Sequence, residues 1–189
     1  MSSLADLADA GSRRDRFEAL YEANYERVLG YALRRLDRDD AADVVAETFL
    51  VAWRRLDDVP AGDEARLWLY GTARRVVANQ RRARRRRDRL AERARSHVAH
   101  DLQPASVDTG LEAAGAAFAR LRPADRELLA LVAWEGLAAS EIAQVCGCSR
   151  NAARIRLHRA RNRFARELTR LGGSVKRNAV AGHVFEAYE

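Results

Sequence analysis

A chain of 189 residues holds one ordinary domain or two small ones. Its formal net charge of +7 and pI near 10.2 point to a polyanionic partner. No stretch approaches the roughly 20 apolar residues of a membrane-spanning helix. The start MSSLADLADAGSRRDRF lacks the basic region and apolar core of a secretory signal, so no membrane insertion is expected and the cytoplasm is the expected location.

Residues 1–14 read as a short flexible leader. Helical periodicity then begins: Phe17, Leu20, Tyr21, Tyr25, Val28, Leu29, Ala32, Leu33 and Leu36 recur at spacings of three and four, on one face. Asp37 to Asp40 offer N-cap candidates for a second helix carrying Val44, Val45, Thr48, Phe49, Val51, Ala52, Trp53 and Leu56, which stops before the turn Pro60-Ala61-Gly62. A third segment starts near Asp63 and runs through Leu67-Trp68-Leu69-Tyr70, Ala73, Val76, Val77 and Ala78 into a very basic extension. Residues 15–85 thus form a helical domain with its basic surface at the C-terminal end.

Over 86–110 the apolar period fades, and Gln103-Pro104-Ala105-Ser106 and Asp108-Thr109-Gly110 add linker composition, which reads as a flexible tether. Periodicity resumes in a second domain over 111–171. Its helices are expected from Pro123, suited to a first turn, to Glu135 before Gly136, from Ala139 to Val145 before Gly147, and from Ser149 to Leu171 before Gly172-Gly173. The tail 172–189 has no strong period. The expected fold class is all-α, two small helical domains joined by a flexible linker.

The charge is unevenly placed. Residues 71–95 hold eleven arginines against Asp88 and Glu92, a net of +9, and 150–170 hold eight against Glu167, a net of +7, so the remainder is acidic. Two separate basic surfaces are expected.

The run from Leu137 to Ser149 has helix-turn-helix spacing. Ile142 and Ala143 face inward, small Ala143 admits the next helix, Gly147 permits the turn and Ser149 caps the helix beyond it. The second helix of such a motif enters the major groove. Ala153, Leu157, Ala160 and Phe164 fit its buried stripe, which leaves Arg150, Asn151, Arg154, Ile155, His158 and Arg159 outward. Arginine pairs with guanine, asparagine with adenine, and isoleucine can meet a thymine methyl. Arg156, Arg161 and Arg163 fit either role.

With these elements in order, the chain resembles extracytoplasmic-function sigma factors over 15–171. Phe17-Glu18-Ala19-Leu20-Tyr21, the run Asp40 to Arg54, and Leu67-Trp68-Leu69-Tyr70-Gly71-Thr72-Ala73-Arg74-Arg75 are similar to conserved region 2. Leu121 to Arg161 is similar to region 4. The resemblance implies an initiation factor, not an enzyme, that brings core RNA polymerase to promoters. Asp43, Glu47, Phe49 and Trp53 would dock on the β′ clamp helices, Phe49 and Trp53 being equally suited to the core. Trp68, Tyr70, Arg74, Arg75, Asn79, Arg81 and Arg82 would hold the opened minus-10 element, although Trp68 and Tyr70 also fit a core. Arg150, Asn151, Arg154, Ile155, His158 and Arg159 would read the minus-35 duplex. Further partners would be the β flap and an anti-sigma protein. Arg75 and Asn151-Ala152-Ala153 depart from common family patterns, which leaves the promoter sequence open.

A conventional helix-turn-helix regulator explains the second domain equally well but not the segment Asp43 to Trp53 followed by a second basic surface. An enzyme acting on nucleic acid is not supported: four scattered His residues and separated carboxylates form no metal or nucleophile cluster, and no cofactor is expected. Cys146 and Cys148 read as reduced, small apolar residues.

Overall fold

A computed structural model of the chain describes residues 4–92 and 109–171, and these are helical with short turns and no strand. The chain divides into two compact units, Met1–His97 and Val98–Glu189.

In the first unit α1 spans Leu4–Leu33, α2 Arg38–Arg54 and α3 Asp63–Glu92, with a 3-10 turn at Leu56–Asp58. The expected cap is present: the Asp37 carboxylate accepts from the Asp40 N–H at 2.9 Å, and Asp39 and Asp40 add negative charge at the positive end of the helix dipole. Gly62, at φ +64°, supplies the left-handed step that turns the chain into α3. The three helices pack mutually around Val28, Tyr31, Val44, Leu56 and Leu69, all essentially sealed from solvent. Thr48 is fully buried among them, and its hydroxyl has no hydrogen-bond partner. Such a hydroxyl costs about 1–3 kcal/mol. The isosteric change Thr48→Val is therefore expected to raise the thermal midpoint by about 4–8 °C, read by calorimetry, for a gain of about 1 kcal/mol in a unit of this size.

In the second unit α4 spans Thr109–Arg120, α5 Pro123–Ala133, α6 Ala139–Cys146 and α7 Arg150–Arg170. Helix α7 packs on α4, α5 and α6 around Leu131, Ile142, Ala153 and Ala160. The α6–α7 turn is built as its sequence suggests. Gly147 adopts φ +62°, the Cys148 N–H returns to the Ala143 carbonyl at 2.9 Å, and the Ser149 hydroxyl accepts from the Ala152 N–H at 3.2 Å. At the start of α6 the Glu141 carboxylate accepts from the Ala138 N–H at 2.7 Å. Cys146 and Cys148 flank Gly147, both half-buried.

Two expected boundaries move. Residues 4–14, expected as a leader, are helical: Leu and Ala favour helix, and Arg13 ties that end of α1 to the end of α2. The expected tether is helical over 86–92 and 109–110, because the Arg, Leu, Ala and Glu content keeps helix propensity high after the apolar period stops. Residues 93–108 and the tail 172–189 lie outside the described residues.

Candidate nucleic-acid interfaces and docking face

Helix α7 carries one candidate interface. Ala153, Leu157 and Ala160 are buried at spacings of four and three and Phe164 is half-buried, which sets the helix rotation. That rotation leaves Arg150, Asn151, Arg154, Ile155, His158 and Arg159 all exposed, as the spacing suggests. Ile155 is 44% exposed on a face otherwise made of cations and hydrogen-bonding groups. His158 Nε2 lies 3.0 Å from the Asn162 amide nitrogen, so Asn162, absent from the expected set, orients the imidazole. Asn151, Arg154, Ile155 and His158 also line a cleft whose other wall is the Gly136–Ala139 turn.

The three ambiguous arginines separate. Arg163 donates from one Nη to both oxygens of buried Asp125, at 2.9 and 2.7 Å, and clasps α5 to α7. Arg156 is exposed. Arg161 is partly desolvated, which lowers its pKa from the ordinary value, although an arginine stays protonated at any physiological pH.

Helix α3 carries the second basic surface, and the expected set divides there. Arg75, Asn79 and Arg82 are exposed at spacings of four and three, on the stripe that continues through Arg86. Arg75 donates to the Thr72 hydroxyl at 3.1 Å, and Arg82 donates to the Asn79 side-chain oxygen. Arg74 and Trp68 are half-buried. Tyr70 is 3% exposed, with its ring 5.5 Å from that of Tyr31, so it is a core residue and no stacking platform for a base. Arg81 reaches back across the unit to the Arg35 carbonyl at 3.0 Å, which makes it a tie between α3 and the end of α1. Arg85 and Arg86, part of the expected basic run but not of the expected minus-10 set, are exposed beyond Arg82. Arg84 instead meets Asp40 at 3.3 Å and Asp37 at 3.6 Å.

Helix α2 presents a third face. Asp43, Glu47, Leu50 and Trp53 are exposed at spacings of four, three and three, with Leu50 at 46% and Trp53 at 39%. Phe49 is buried, its ring 4.7 Å from Tyr21 and 6.4 Å from Phe17. It is thus a core residue rather than an exposed anchor. Phe17, Tyr21, Ala46, Phe49, Leu50 and Trp53 line one open, largely apolar groove between α1 and α2. Tyr21, Phe17 and Leu50 were not singled out as docking residues in the sequence. The period of Phe17 and Tyr21 alone reads as core, Leu50 lies off the apolar stripe of its helix, and only the packing shows that this face is uncovered. At the groove edge Arg14 bonds Glu18 at 2.8 Å, a contact that raises the arginine pKa.

Among the described residues no three His, Cys, Asp or Glu side chains gather as a metal site, and no helix is long and apolar enough to cross a membrane.

Comparison with known proteins agrees with this arrangement. Residues 20–87 match the model of sigma-70 region 2, and residues 111–164 match that of sigma-70 region 4. The chain is 33% identical over 163 residues to the ECF RNA polymerase sigma factor SigC of Mycobacterium tuberculosis, covering 86% of this chain and 88% of SigC. It is 30% identical over 160 residues to SigL of the same species, covering 82% and 89%. Among solved structures it is similar to the sigma factor RpoE bound to the anti-sigma factor NepR from Bartonella quintana. That match has a TM-score of 0.61 and 26% identity over 81% of this chain and 96% of RpoE. The two matched regions coincide with the two folded units, in that order, and the chain belongs to the extracytoplasmic-function group of the sigma-70 family of RNA polymerase sigma factors.

Proposed function

We propose that this sigma factor docks on core RNA polymerase through the exposed face of α2 and its aromatic groove, and reads promoter DNA with two helices. Asp43 and Glu47 supply charge at one end of the docking face, Leu50 and Trp53 supply apolar area at the other, and the pattern suits a partner surface that is basic beside apolar. The Arg75–Asn79–Arg82 stripe, with Arg74 and Trp68 beside it, holds the separated minus-10 strand. The outward face of α7 reads the minus-35 duplex. The observation that carries this reading is the alternation along one chain of a half-apolar docking face and two basic helices. A regulator that binds an operator alone has no use for the first of these.

The second unit also meets the β flap, and an anti-sigma protein of the kind bound to RpoE holds the factor inactive in the cytoplasm until induction. The protein is an initiation factor, and bond-making chemistry belongs to the polymerase.

Transcription in vitro with core enzyme over a promoter library tests the proposal. Specific initiation at a cognate promoter is expected. A protein that never associates with core polymerase, while binding a palindromic duplex tightly by itself, would overturn it. Changing Asp43 and Glu47 together to alanine should weaken core association about tenfold and leave duplex binding by α7 unchanged, as two surface charges of modest individual worth would. Titration of labelled factor with core enzyme reads the first effect and a duplex shift assay the second.

A further inference from the structure

The N-terminal part of α1 lies upstream of the stretch matched to region 2, which begins at residue 20, yet it reaches the docking face. Three contacts converge from Arg13. One Nη donates to the Trp53 carbonyl at 2.8 Å, the other meets Asp57 Oδ2 at 3.1 Å, and the guanidinium carbon lies 5.5 Å from the Trp53 ring centroid. Trp53 is in the last turn of α2, where carbonyls have no partner within the helix, so the first bond satisfies an orphaned acceptor. The cation over the indole adds an attraction of its own. Phe17, also on α1, sets its ring edge-on to the same indole at 5.1 Å.

We infer that Arg13 is a positioning residue for polymerase docking, holding the Trp53 indole in the orientation that the docking face presents. The inference rests on the docking role proposed for Trp53. An exposed indole is free to change rotamer, and ordering it on association costs affinity. Arg13 and Phe17 carry that ordering in the unbound protein. The pair with Asp57 contributes little by itself, because that carboxylate is 83% exposed. It instead aims the guanidinium. Lysine has no planar fork with which to reach a carbonyl, a carboxylate and a ring together. Neighbouring Arg16 provides the control: it donates to the Val59 carbonyl at 2.8 Å and lies 3.9 Å from Asp57, so it secures the turn after α2 rather than the indole.

The test is a double-mutant cycle on the full chain, read as affinity for core RNA polymerase, with thermal unfolding measured alongside. Arg13→Ala should weaken core affinity about three- to tenfold, the range expected when one side chain loses its preorganisation. It should also shift the Trp53 indole N–H resonance. Arg16→Ala should lower the thermal midpoint at least as much and leave core affinity within about twofold. In a Trp53→Ala background, itself weakened about thirtyfold as for an interface anchor, Arg13→Ala should have no further effect on affinity. If Arg13→Ala keeps its effect in that background, or Arg16→Ala weakens core binding equally, the positioning role is overturned. Unchanged affinity in Arg13→Ala beside a weakened Trp53→Ala overturns this inference alone. Unchanged affinity in Trp53→Ala overturns the docking assignment of that residue and the inference with it.

Discussion

Alanine at both Arg154 and Arg159 is expected to lower initiation at a cognate promoter about a hundredfold or more, while core association stays within about twofold. Both side chains are exposed on α7, where they take no part in the buried stripe of Ala153, Leu157 and Ala160. The helix should therefore survive the change. An arginine on a base edge is worth about 1–3 kcal/mol, and one on a phosphate weakens binding uniformly and reduces the salt slope by about one. The single variants separate these roles when affinity is measured over promoter variants and salt concentrations. Loss of core association in the double variant, with folding preserved, would defeat the division of labour between the two units.

Asp125→Ala is expected to destabilise the second unit by about 2–3 kcal/mol. Its carboxylate is buried and receives two hydrogen bonds from Arg163, which is itself only partly exposed. Hydrogen bonds to charged groups contribute about 1.5–3 kcal/mol, and removing one partner leaves a cation poorly solvated. Asp125 also sits in the first turn of α5, where negative charge is favoured. For a unit of about 60 residues this corresponds to a fall in thermal midpoint of roughly 10–20 °C. Minus-35 binding should be lost on warming well before core docking, because the proposed docking face is on the other unit. Calorimetry of the full chain, with both activities assayed along the temperature series, would reveal two transitions of which only one moves. A single unchanged transition would show that the clasp is unimportant.

Helix α7 was legible in advance because its signals are local and redundant. Ser149 marks the start, Gly147 the turn, and a stripe of small residues the buried side, so the outward set follows by subtraction. Helix α2 was legible for the same reason through Asp37. The arginines of α3 were harder. Arg75, Arg81 and Arg82 look alike in sequence, and only the fold shows that the Arg81 guanidinium ends on the Arg35 carbonyl while Arg82 faces solvent. Tyr70 and Phe49 posed the same difficulty, since an aromatic beside a functional segment fits a core and a binding face equally. Burial decides it, with Tyr70 3% and Phe49 4% exposed. The helical start of α1 has only Leu4, Leu7 and Ala8 at helical spacing before the polar run Gly11 to Arg16. What ties it down is polar and distant in sequence, the contacts of Arg13 and Arg16 with residues 53–59.

The buried stripe of α7 and the exposed face proposed to read DNA fall on opposite sides of the helix, and the cap that starts it, Ser149, belongs to neither. A substitution at Asn151, Ile155 or His158 is therefore expected to carry little folding penalty. After gene duplication one copy can drift to a new set of target sites without any compensating change in its scaffold. On the proposed roles, selection would then act on the match between α7 and its target sites while the buried stripe of the helix stays as it was.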